Sequence, residues 1–136
     1  MQFGQINWIA WVLGAIAFMG LGTLWYGPLF GKPWMAMMEK TGWKRGQMQA
    51  SPGMYMLALL CALAASYVLA VLIRSLGITD WWKGLLTGAI IWVGAGSATQ
   101  LTNSIFESRP KGLWALFSLY ELVMFAGLGV VFAVWR

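Results

Sequence analysis

The 136 residues contain no histidine and a single cysteine, Cys61. The first absence excludes imidazole-based triads and His-ligated metal sites. The second excludes an intrachain disulfide. Charge is scarce too: nine Lys and Arg and four Asp and Glu make up 10% of the chain, where soluble domains carry about a quarter. Nor is there the period-2 alternation of membrane-barrel strands. No phosphate-binding loop is present, because "VGAGSATQ" (93–100) follows a helical run and lacks the P-loop lysine.

What the chain has is apolar length, with 60% hydrophobic residues. A globule of this size cannot bury so much apolar surface, so lipid is the expected solvent. Residues 1–31, 46–73, 84–106 and 112–135 are uncharged runs, the last broken only by Glu121. Each holds the roughly 20 apolar residues that a helix needs to cross a bilayer. We therefore expect an all-α integral membrane four-helix bundle, forming a single transmembrane domain over 1–136. Its spans are placed at 7–27, 54–74, 82–106 and 112–135. The first run lacks a basic leader and a small-residue cleavage site, so it is read as a span and not a signal peptide.

Local signals mark the ends. Asn7 and Trp8 open the first span; Gly27 and Pro28 are expected to break it, with Trp25 and Tyr26 as headgroup anchors. Gly77 suits a C-cap, Thr79 and Asp80 can cap the third span, and Trp81 and Trp82 anchor it. "SRPKG" (108–112) is a tight turn. Between spans 1 and 2, "KPWMAMMEKTG" predicts a short amphipathic interfacial helix at 33–42, with Pro33 at its start and Gly42 as its stop. Trp34, Met35 and Met38 share one face, and Trp43 follows. A cap folded over the bundle is the alternative use of this segment.

Net charge is +5, but the basic residues sit at span ends, so lipid headgroups and not nucleic acid are the expected partner. Connections 1–2 and 3–4 hold Lys32, Lys40, Lys44, Arg45, Arg109 and Lys111, against Arg74, Lys83 and Arg136 opposite. This bias places both connections in the cytoplasm and the termini outside.

"NWIAWVLGAIAFMGLGTLWYGPLFGKPWM" (7–35), "IFESRPKGLW" (105–114) and "VVFAVWR" (130–136) resemble the small bacterial membrane proteins grouped as domain of unknown function 1761. Its most specific part is "WYGPLFGKPWM", with Trp25, Tyr26, Pro28, Phe30, Gly31, Lys32, Trp34 and Met35. The resemblance implies four spans in a bacterial cytoplasmic (inner) membrane and no particular activity.

Small residues indicate close helix packing: Ala58, Ala62, Ser66 and Ala70 repeat at i, i+4 in the second span, and Gly84 and Gly88 form a GxxxG pair in the third. These faces serve either the bundle or a homo-oligomer. Nine methionines, including Met35, Met37, Met38, Met54 and Met56, offer copper(I) ligation, but apolar packing is their commoner use. No metal and no cofactor are expected.

Glu121 is the anomaly. It lies about 14 Å along the fourth helix from Gly112 at 1.5 Å per residue, near mid-membrane. An unpaired carboxylate there costs several kcal/mol, so it should face the interior. Thr99, Asn103 and Glu107 form an i, i+4, i+8 stripe on the antiparallel third span. With Gln100, Ser118, Ser66 and Tyr67 they define a candidate proton or ion site around Glu121. One reading is a transporter or channel component. The second is a scaffold or accessory subunit, with Glu121 as polar glue and a larger membrane partner. A membrane enzyme comes third, having only Glu107, Glu121, Tyr67 and Lys/Arg for acid–base work. Glu107, Arg109 and Lys111, like Arg74, Lys83 and Asp80, read as interfacial charges.

Overall fold

The computed structural model describes residues 3–42 and 51–135. The regular structure among those residues is all helical, with no strand. Helix α1 covers Trp8–Leu24, α2 Gly31–Glu39, α3 Pro52–Ser75, α4 Trp81–Ile91, α5 Ala98–Phe106 and α6 Lys111–Val134. Helix α1 continues through a π-helical turn, Trp25–Leu29, and α4 joins α5 through a π segment, Trp92–Ser97. Four helices long and apolar enough to cross a membrane result: Trp8–Leu29, Pro52–Ser75, Trp81–Phe106 and Lys111–Val134. The protein is an all-α, four-helix membrane bundle. Trp43, Lys44 and Arg45, to which the sequence assigns interfacial roles, and Arg136 lie outside the described residues.

The ends form for local reasons. The Asn7 side chain accepts from Ile9 N and Ala10 N at 3.1 and 3.0 Å, satisfying two donors of the first turn. Ser51 caps α3, accepting from Met54 N at 3.3 Å. Gly77 has φ +67° and closes α3 by donating to Arg74 O, while Ile78 N reaches Ile73 O. Asp80 starts α4 without a side-chain cap and instead pairs with Lys83 at 2.8 Å. Pro28 does not end the first span. The chain widens into a π turn there, which accommodates a residue without an N–H, and the helix runs on to Leu29.

Ser108 is the described non-glycine residue with positive φ, +54°. It ends α5, with Ser108 N donating to Ile105 O and Arg109 N to Ser104 O. A left-handed serine costs about 1 kcal/mol relative to glycine. Ser108→Gly is expected to stabilise the protein by roughly that amount, read as a raised midpoint of thermal unfolding in detergent.

The bundle is tight at one end and splayed at the other. Near the Gly77 turn, α4 and α6 touch backbone to backbone. A Cβ on Gly84 would strike the Gly129 carbonyl, and one on Gly88 the Phe125 carbonyl. Leu69, Ala70, Val71 and Ile73 of α3 pack with Leu128, Phe132 and Ala133 of α6 in the core of this half. At the opposite end, where α1 stops and α6 begins, residues 52–58 of α3 are exposed. Helix α2 covers that end of the bundle: Trp34 packs on the Tyr26 ring, and Met37 lies over Gly112. Of the small-residue faces, Ala62, Ser66 and Ala70 are buried within the chain and Ala58 is exposed.

Candidate functional site

Glu121 sits in the splayed half, on the α6 stretch "SLYELVMF". Gln100 of α5 donates from Nε2 to Glu121 Oε1 at 2.5 Å. The other carboxylate oxygen, Oε2, lies against the π segment, where a Cβ on Gly96 would come within 2.9 Å of it. Glycine at 96 thus gives the carboxylate room against the neighbouring helix. The Gln100 amide suits either protonation state: its N–H donates to a carboxylate, and its carbonyl can accept from a protonated acid.

The surroundings of this pair are well satisfied, which throws the exceptions into relief. Trp92 Nε1 donates to Ser118 O at 2.6 Å, Trp114 Nε1 to Ser97 O at 3.0 Å, and Trp25 Nε1 to Leu116 O at 3.2 Å. Ser118 Oγ donates to Ser97 Oγ at 2.9 Å, and Tyr120 Oη to Phe18 O. The π segment leaves backbone carbonyls without a regular helical partner. Thr99 Oγ1 donates to two carbonyls there, Ala95 O and Gly96 O, at 2.8 and 2.9 Å. Against this background, Ser104 Oγ, Gln100 Oε1 and Glu121 Oε2 are buried without a hydrogen-bond partner among the described residues. Buried polar atoms are usually paired, and in lipid an unpaired one is costlier still.

Two clefts meet at the pair. A cleft of about 230 Å³, polar on its α5 side, runs from Glu107 and Arg109 past Asn103 and Ser104 to Gln100, with Leu113, Trp114 and Phe117 of α6 opposite. Glu107 and Arg109 form an ion pair at its mouth, 2.7 Å apart. A larger cleft of about 680 Å³ lies between α1, α3 and α6 and includes Glu121. Six of its fifteen lining residues are aromatic: Tyr26, Trp34, Tyr55, Tyr120, Phe18 and Phe125. Gln100 lines the first cleft and Glu121 the second, so their hydrogen bond is the partition between them.

The residues singled out in the sequence are thus divided. Gln100 and Glu121 come together, and Asn103 lines the polar cleft. Ser118 is one turn away, but its hydroxyl turns to Ser97. Thr99 is exposed and serves its own backbone. Ser66 Oγ donates to Ala62 O within α3, and Tyr67 Oη to Phe3 O near the other membrane face, beside Trp8 and Trp11. The face of α5 that lines the polar cleft is Gln100, Asn103, Ser104 and Glu107, an i, i+3, i+4, i+7 face, and Thr99 falls outside it. Trp25 and Tyr26, expected at the headgroups, turn partly inward; Trp81 and Trp82 are exposed. Sequence reasoning missed Ser97, Ser104, Trp92 and Trp114. The i+4 step from Gln100 was the signal for Ser104.

Residues 9–133 match the family model described as protein of unknown function, DUF1761. The chain belongs to the DUF1761 family. No curated protein and no solved structure matches it. In this DUF1761 chain, the Gln100–Glu121 pair and its two clefts form the candidate site.

Proposed function

We propose that the protein is a small membrane carrier in which Glu121 is the protonatable site. The observation that carries this reading is the row of buried, unpartnered oxygens from Ser104 through Gln100 to Glu121, at the partition between the clefts. A mid-membrane carboxylate kept only as glue would be satisfied on both oxygens. Here one oxygen is hydrogen-bonded and the other is buried against Gly96 without a partner among the described residues. The polar cleft supplies the aqueous side, with the Glu107–Arg109 pair at its mouth and Asn103 and Ser104 leading inward. The glycine seam of α4 and α6 closes the opposite half, which favours a carrier that must rearrange over an open channel.

The reading places the carrier in a bacterial cytoplasmic membrane, with the polar cleft facing the cytoplasm and the chain working as a homo-oligomer. The scaffold reading is weaker on one specific point: Ala62, Ser66 and Ala70, and the Gly84–Gly88 pair, are used up inside the chain. The test is reconstitution into liposomes under an imposed pH gradient. Faster decay of the gradient than in protein-free liposomes, blocked by a hydrophobic carbodiimide that labels Glu121, is the expected result. Decay at the protein-free rate, with or without a candidate substrate, removes the proposal.

A further inference from the structure

The substrate class can be read from the larger cleft. We infer that it binds a lipophilic organic cation, an ammonium or phosphonium centre on an apolar or aromatic body, with Glu121 as counter-ion. This inference rests on the carrier reading of the same carboxylate.

Three observations converge. First, the lining of the cleft contains one charged side chain, Glu121, and no lysine or arginine. Its Oε2 is buried against Gly96 without a partner among the described residues, and no cation of the cleft lining balances the carboxylate, so a cation in the cleft would be its counter-charge. Second, six of the lining residues are aromatic, and five of them pack on one another. Tyr26 packs on Trp34 and Tyr120 with ring centroids 5.9 and 5.6 Å apart, and Phe18 on Tyr120 and Phe125 at 5.4 and 6.4 Å. Aromatic walls around a cationic centre attract it through the ring quadrupoles, most strongly where water is excluded. Third, the cleft reaches lipid. Tyr55 and Cys61 on its α3 wall are exposed, and Cys61 lies about 14 Å along α3 from Pro52. A ligand partitioned in the bilayer therefore reaches Glu121 sideways, without crossing the polar cleft. At about 680 Å³ the cleft is of small-molecule size. Mg²⁺ and Ca²⁺ take six or more oxygen ligands, several of them carboxylates, and these walls offer one carboxylate beside the hydroxyls of Thr23, Tyr26, Tyr55 and Tyr120.

The experiment is equilibrium binding of radiolabelled tetraphenylphosphonium to the purified full chain in detergent, with uncharged tetraphenylmethane as competitor. Saturable binding is expected, roughly tenfold or more weaker in Glu121→Gln, and several-fold weaker in Tyr55→Ala, where only an exposed ring is lost. Tetraphenylmethane should not compete. Adding phosphatidylethanolamine separates two sources of the same chemistry: competition assigns the ammonium ligand to an aminolipid, and none assigns it to a free cation. Absence of saturable binding, equal binding to folded Glu121→Gln, or full competition by the neutral compound overturns the inference. Glu121-dependent proton flux without cation binding would defeat this inference and leave the carrier reading standing. Cation binding without such flux would defeat the carrier reading and leave a binding site.

Discussion

Glu121→Gln is expected to reduce proton-coupled flux to the leak of protein-free liposomes while the protein still folds. Glutamine has the shape of a protonated glutamate, and its carbonyl can still accept from Gln100 Nε2, which now donates to Glu121 Oε1. What it lacks is the capacity to take up and release a proton. The contrast is sharper with Gln100→Ala. That variant leaves the carboxyl group titratable but removes a hydrogen bond to a charged group, worth about 1.5–3 kcal/mol, and should slow flux without abolishing it. Liposome flux and detergent unfolding, measured on both variants, give the answer. Full flux in a folded Glu121→Gln protein would take the glutamate out of the transport path and return it to a packing role.

Gly88→Leu is expected to produce the largest loss of stability of any single substitution in the bundle. Gly88 and Gly84 bring the α4 backbone against the α6 backbone. Even a Cβ at 88 would collide with the Phe125 carbonyl, and one at 84 with the Gly129 carbonyl. Backbone cannot move aside as the end of a flexible side chain does. In lipid such an approach is held by van der Waals packing, with no hydrophobic force to restore it. Gly88→Ala should cost about 1–3 kcal/mol, the usual range for overpacking, and leucine considerably more. Gly94 and Gly127 are the controls, because a Cβ at either meets nothing within 4 Å. Their alanine variants should unfold at or slightly above the wild-type midpoint, since alanine favours helix by about 1 kcal/mol over glycine. Unfolding by tryptophan fluorescence in detergent reads all of these. A Gly88→Leu protein as stable as the controls would mean that the α4–α6 seam is not what closes this half.

The two results bear on one mechanical picture. The seam holds the half near the Gly77 turn shut, while α3 diverges over residues 52–58 and leaves the aromatic cleft between itself, α1 and α6. A carrier cycle would have to loosen the first and close the second.

The number of spans, the helical class and some helix ends are legible in the residues alone. Those depend on apolar run length and on short-range chemistry, as with the Asn7 cap or Gly77 at φ +67°. Glu121 stands out too, because a carboxylate inside an apolar run is conspicuous without any structure. Which polar residues keep company with it depends on how the helices pack. An i, i+4 rule describes one straight helix, whereas the third span passes through a π segment at Trp92–Ser97, and its rotation relative to α6 is set by the Gly84–Gly129 contact. That rotation turned Gln100 and Ser104 inward and left Thr99 outside. The inward turn of Trp25 and Tyr26 was equally illegible. An indole beside a Gly-Pro pair suits a headgroup anchor, and only the packed α6 backbone offers it Leu116 O. The clefts were beyond the sequence for the same reason: they are gaps between helices, fixed by where the helices touch and where they part.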